Sequence, residues 1–255
     1  MGWLRERRRG RIRQTPLPDA WWSILASRVP LVHRLPPTDR EELSGHTQVL
    51  LAEKHFEGAG GFELSDEIRV TIAAQAAFLL LHRRTDYFPR LVSVIVYPSL
   101  YVAPHREEDE AGIVSEGMET RAGESWSRGA IVLSWDDVQE MADHDHGARN
   151  IVLHEFAHQL DVENGPSDGV PFLADSGLRE DWVRILGRAY DRLGWDLARG
   201  QGSFLDPYAG TNPAEFFAVA TEAFFEAPRG LAEQVPALYG LLRRYFRQDP
   251  AAWVV

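Results

Sequence analysis

Ile151-Val152-Leu153-His154-Glu155-Phe156-Ala157-His158-Gln159-Leu160-Asp161 is the stretch on which the reading of this chain turns. An α-helix advances about 100° per residue, so His154 and His158 fall one turn apart on nearly the same face and can share a metal ion. Glu155 then sits beside that metal, where a general base for an attacking water belongs. The alternative is a pair of ordinary histidines with a glutamate between them by accident. With only nine histidines in the chain, chance produces H-E-x-x-H on the order of 0.03 times. The apolar flanks Ile151, Val152, Leu153, Phe156, Ala157 and Leu160 further predict a largely buried helix, on which solvated histidines are unusual.

Working outward, 255 residues with 44% hydrophobic and 25% charged side chains are enough to bury a large core. The formal net charge of −11 argues against general nucleic-acid affinity, which needs clustered Lys and Arg. The exception is Arg5, Arg7, Arg8, Arg9, Arg11 and Arg13, read as a flexible basic arm over residues 1–14 before one domain over 15–255. No apolar segment follows that arm, so it is not read as a secretory signal. The longest apolar run, Ala73 to Leu81, contains Gln75 and is far shorter than the ~20 residues that span a bilayer. There is no cysteine, which excludes disulfides, thiolate ligands and cysteine nucleophiles, and a cytoplasmic protein without membrane contact is the simplest fit.

Between Trp21 and Leu51, Pro30, Pro36 and Pro37 predict short helices joined by turns, opening a helical part over about 15–90. Ser65 is placed to cap a helix whose apolar positions Ile68, Ile72, Ala76 and Leu79 recur at helical spacing. Leu91 to Tyr97 reads as a buried strand continued by Tyr101-Val102, and Ala130 to Leu133 as a second strand after a polar, glycine-containing stretch. Asp143 or Asp145 is the expected cap of the histidine helix, which should end near Asn164-Gly165. Trp182 to Leu193 and Asn212 to Ala227 read as two further helices, the second stopped by Pro228. Strands before the motif and helices around and after it predict an α+β fold.

A catalytic zinc ordinarily takes three protein ligands and leaves one position for water. No histidine occurs after His158, so a carboxylate must complete the set. Glu215, Glu222 and Glu226 share one face of the Asn212 helix at i, i+7 and i+11. Asn212-Pro213-Ala214-Glu215 also has the spacing of a capping box, so spacing alone leaves Glu215 and Glu222 open. Asp161 opposes the helix macrodipole, which points to a compensating role in orienting a ligand or fixing the following loop, unless it simply starts the turn.

The run from His154 to Asp161, Gly169-Val170-Pro171-Phe172, Tyr208, and Asn212 through Val219 together resemble the Mlc titration factor A family of zinc peptidases. The strand Gly129 to Asp137 and Tyr97-Pro98 are similar to it too, and the agreement runs in order over roughly residues 15 to 250. The resemblance implies a gluzincin site in which one zinc ion is bound by His154, His158 and Glu215 and Glu155 activates its water. Asp161 and Glu222, from the helix-dipole and spacing arguments above, remain candidates to support the ligands from outside that set. It also implies a zincin-like fold similar to the catalytic domain of anthrax lethal factor, with Tyr208 facing the substrate. Peptide or protein substrates, cleaved internally or as by an aminopeptidase, would follow, and strand Ala130 to Leu133 is a candidate to pair with an extended peptide. A separate role is implied as well, because a member of the family binds the glucose repressor Mlc: the chain would then act on a transcriptional repressor by binding it. Direct nucleic-acid binding through the arginine arm is the weakest alternative.

Overall fold

The computed structural model describes residues 2–99, 101–108, 114–121, 123–126, 129–140 and 148–253. Helices α1 (Gly2–Arg13), α2 (Asp19–Arg28) and α3 (Pro37–Glu53) lead into strand β1 (His55–Gly58) and helix α4 (Asp66–Phe78). Strands β2 (Ser93–Tyr97), β3 (Tyr101–Glu108), β4 (Val114–Arg121), β5 (Gly123–Trp126) and β6 (Ala130–Ser134) follow. The remainder is helical: α5 (Trp135–Glu140), α6 (Ile151–Asp161), α7 (Ser176–Ala198), α8 (Pro213–Glu226), α9 (Pro228–Gln234) and α10 (Pro236–Phe246). Helix-rich ends around a small sheet give the α+β class read from the sequence.

Four strands form the main sheet in the order β1-β2-β6-β5, with β1, β2 and β6 parallel and β5 antiparallel at the edge. Alternation along β2 and β6 sends Val94, Val96, Ile131 and Leu133 into the helical core. Val132 points to the opposite face and packs with Ile95 and Tyr97 in a small separate cluster. In the core, the Phe156 ring of α6 meets Phe88 edge-on at 4.9 Å, and Trp182 of α7 meets Phe217 of α8 at 5.5 Å. These contacts hold α6 between the sheet and the C-terminal helices.

Several expectations are corrected. Residues 2–13 are not a flexible arm but helix α1 packed on α3, because Arg9 is buried at 3% exposure and binds Glu53 at 2.9 and 2.7 Å and Asp86 at 2.6 Å. Tyr101-Val102 does not extend β2; it opens β3, which pairs antiparallel with β4 in a two-stranded sheet of its own. The polar stretch after it supplies β4 and β5, strands without the apolar alternation that marks a buried face. Strand β6, the candidate to pair with an extended peptide, is interior, flanked by β2 and β5. The cap of α6 is Asn150, whose side chain accepts from the Leu153 amide at 3.0 Å, while Asp143 and Asp145 lie outside the described residues. Among the described residues no helix is long and apolar enough to cross a membrane.

Candidate metal centre

Helix α6 begins where Asn150 satisfies the Leu153 amide and gives way at Val162–Asn164 to a 3₁₀ turn ending at Gly165. Arg90 closes this end by donating to the Val162 carbonyl at 2.7 Å, a cation where the helix dipole is negative. Helix α8 begins at Pro213, with Asn212 as its cap: the Asn212 side chain accepts from the Glu215 amide at 3.0 Å. The contacts Asn150–Glu226, His154–Glu222 and His158–Glu215 show that α6 and α8 lie antiparallel, so the acidic face of α8 runs along the histidine face of α6.

At their crossing, three donor atoms converge. The Nε2 atoms of His154 and His158 are 3.2 Å apart, and Glu215 Oε2 is 3.0 Å from the first and 3.4 Å from the second. Tetrahedral sites with bonds near 2.0–2.1 Å hold adjacent ligand atoms about 3.3 Å apart, so this triangle is the base of such a site. His154, His158 and Glu215 are the group among the described residues whose ligand atoms all lie within 4.8 Å of one another. The donor set of two imidazoles and a carboxylate fits a borderline cation such as zinc.

The remaining candidates surround the triangle. Glu222 Oε1 lies 2.7 Å from His154 Nδ1 and its Oε2 accepts from the Asn150 amide at 2.5 Å, which fixes the imidazole from behind. Glu222 therefore reaches the histidine on the side away from the triangle, and spacing could not have separated this role from that of Glu215. Asn150 ties the arrangement together by also donating to Glu226 Oε1 at 2.7 Å. Sequence reasoning misses this residue, although a side chain of strong capping preference directly before Ile151 is the available signal. Glu155 is buried, and its Oε2 has no hydrogen-bond partner among the described residues. Tyr208 lies in a 3₁₀ turn over Pro207–Gly210, half-exposed, with its ring centroid 6.1 Å from that of His154. Asp161 does not touch the triangle: its Oδ2 accepts from the Gly169 amide at 3.0 Å and from Ser167 Oγ at 3.2 Å, fixing the loop that follows α6.

Electrostatics concentrate negative potential here. Burial alone would lower the pKa of His154, but the contacts with Glu215 and Glu222 outweigh it and raise the value to about 10. Burial would raise Glu215, yet His154 and His158 hold its carboxyl well below the usual range. Burial pushes Glu155 up, against the opposing pull of both histidines. Such a site favours positive charge at its centre and leaves beside it a carboxylate readier than usual to take a proton.

A largely buried His-His-carboxylate triangle, with a buried glutamate alongside whose Oε2 has no hydrogen-bond partner among the described residues, is the arrangement of metal-dependent hydrolases. The profile of the glucose-regulated metallo-peptidase M90 family matches residues 3–247, and this chain belongs to that family. The chain is 38% identical to an uncharacterised protein of Synechocystis over 93% of its own length and 86% of that relative. It is 34% identical to the proteins named Mlc titration factor A of Yersinia pestis and Yersinia pseudotuberculosis, over 89% of this chain and 84% of theirs.

Proposed function

We propose that this protein is a zinc-dependent peptidase of gluzincin type with a zincin-like fold, in which His154, His158 and Glu215 hold the metal. The observation that carries this reading is the 3.0, 3.2 and 3.4 Å triangle with Glu155 buried beside it, its Oε2 without a hydrogen-bond partner among the described residues. Zinc bound there would act as a Lewis acid, polarising a carbonyl and lowering the pKa of a water toward ~7. Glu155 takes the proton of the attacking water and returns it to the departing amine, a role suited to a carboxyl raised by burial. Glu222 holds His154 in one tautomer through Nδ1 and leaves Nε2 facing the triangle. Tyr208, on the exposed side, supplies a hydroxyl to the oxyanion that develops on the substrate carbonyl.

Glu155→Gln is the test, since it keeps the shape and all three donors and removes only the capacity to accept a proton. Peptide hydrolysis should fall by ~10²–10⁴-fold with zinc content and melting temperature unchanged. Full activity in metallated Glu155→Gln protein would overturn the mechanism.

The name of the Yersinia relatives supports a second role, binding of an Mlc-like transcriptional repressor independent of hydrolysis. Capture of purified Mlc repressor by wild-type and Glu155→Gln protein alike, without cleavage, supports it. Absence of capture by either protein removes it.

A further inference from the structure

Asp161 and Gly169 connect the two helices of the metal centre through a route that involves none of the three donors. Asp161 lies three residues beyond His158, on nearly the same face of α6, and is fully buried. A carboxylate in the last turn opposes the helix dipole, so its place there has a cost that other contacts must offset. The offset comes from hydrogen bonds accepted from the Gly169 amide and from Ser167. Gly169 has φ +76°, and a Cβ on it would stand 2.3 Å from the carbonyl oxygen of Pro213. Its own carbonyl accepts from Trp182 Nε1 at 2.8 Å, and that indole packs on Phe217 of α8. Pro213 is the first residue of α8, two before Glu215. The link therefore runs from Asp161 in the last turn of α6 through Gly169 to Pro213 at the start of α8.

We propose that the Asp161–Gly169 contact is a strap that sets the spacing between the histidine pair on α6 and Glu215 on α8, making Asp161 a positioning residue of the metal centre. Because Gly169 has no Cβ, the loop seats directly on the Pro213 carbonyl, and the first turn of α8 takes its position from a loop anchored to α6. A buried carboxylate bonded to a backbone amide and a hydroxyl cannot drift, so Glu215 meets the histidines at ligand distance before any cation arrives. The proposal rests on reading His154, His158 and Glu215 as a metal site.

The test uses the full chain stripped of metal, with zinc affinity measured by competition against a chromophoric chelator well below each variant's melting temperature. Asp161→Ala and Gly169→Ala should bind zinc about 10–100-fold more weakly, the usual effect of removing support behind ligands. Asp161→Asn, which keeps an oxygen for the Gly169 amide, should recover most of that loss. Leu25→Ala, a core truncation in α2, should lower the melting temperature and leave zinc affinity alone. Hydrogen exchange of the metal-free proteins gives a second readout: the first turn of α8 should exchange faster in Asp161→Ala than in wild type, with α10 unchanged. Wild-type affinity in Asp161→Ala overturns the strap, whatever the protein hydrolyses. If Gly169→Ala does not fold, the two Asp161 variants decide the matter alone. Should wild type itself bind no zinc, the metal reading fails, and the strap is judged on exchange: acceleration confined to the start of α8 supports it, and unchanged exchange overturns it.

Discussion

Two regions bury charge in opposite ways. Beneath α1, every polar arm of Arg9 is answered: Glu53 takes two hydrogen bonds, the Asp86 carboxylate and carbonyl take two more, and the Tyr87 ring lies 4.6 Å below the guanidinium. Burial alone would lower the Arg9 pKa, but the contacts with Glu53 and Asp86 outweigh it and raise it. At the α6–α8 crossing, two imidazole nitrogens face each other and a carboxylate, and Glu155 Oε2 has no hydrogen-bond partner among the described residues. The first cluster is closed by its own side chains and stabilises the fold. The second converges on a point that a metal ion could occupy, as buried groups do at sites of chemistry.

That contrast breaks most readily at the third ligand. Glu215→Ala should lose stoichiometric zinc, while Glu222→Ala should still bind one zinc per chain with affinity lowered ~10–100-fold, since it removes the support of His154 Nδ1 and the acceptor of the Asn150 amide but none of the three donors. Metal analysis after gel filtration checks both, and the reverse pattern would exchange the roles of the two glutamates. In the closed cluster, Arg9→Met leaves Glu53 facing an apolar chain. Breaking a buried pair costs ~3–5 kcal/mol, and the half-exposed Asp86 places the expected value near the lower end. Urea titration should show that loss with zinc content intact, whereas loss of zinc would mean that the two regions are not independent.

Smaller effects sharpen the comparison. Tyr208→Phe should bind zinc normally and lower kcat about 10-fold, with little change in KM, because a hydroxyl aimed at the oxyanion acts mainly in the transition state. Unchanged kcat would make the ring a packing group. Glu226 lies between the two cases: its one bond from Asn150 and the charge of Arg34 do not offset burial, which with Glu222 nearby pushes its carboxyl up to about 7. A folded-state value above the ordinary carboxyl value gives stability that is complete below about pH 4.5 and declines as pH rises through about 7. Glu226→Gln mimics the protonated form, so it should match wild type at pH 4 and melt several degrees higher at pH 8. Equal melting temperatures at both values would show that folding does not raise the Glu226 carboxyl.

What the sequence determined by itself is what repeats locally. Helical spacing revealed α4, α6, α7 and α8, with the caps Ser65 and Asn212 legible for the first and last of them, and β-branched runs revealed β2 and β6, because each of these elements buries an apolar face that leaves a period in the chain. The H-E-x-x-H pair was legible for the same reason, since one helical turn places both histidines together whatever surrounds them. Tertiary structure alone decided the rest. Helix α1 is held through arginines whose partners lie about 40 and 80 residues away, so its buried face looks like a solvated arm in the sequence. Strands β3, β4 and β5 carry no apolar alternation, and their pairing is set by the partner strand rather than by their own composition. Glu215 and Glu222 share a helix face, and only the antiparallel crossing of α8 over α6 sends one to the Nε2 side of His154 and the other to Nδ1. A ring with two nitrogens pointing opposite ways needs a neighbour on each side, and which neighbour takes which side is a matter of how two helices pack, a relation that no spacing along one of them contains.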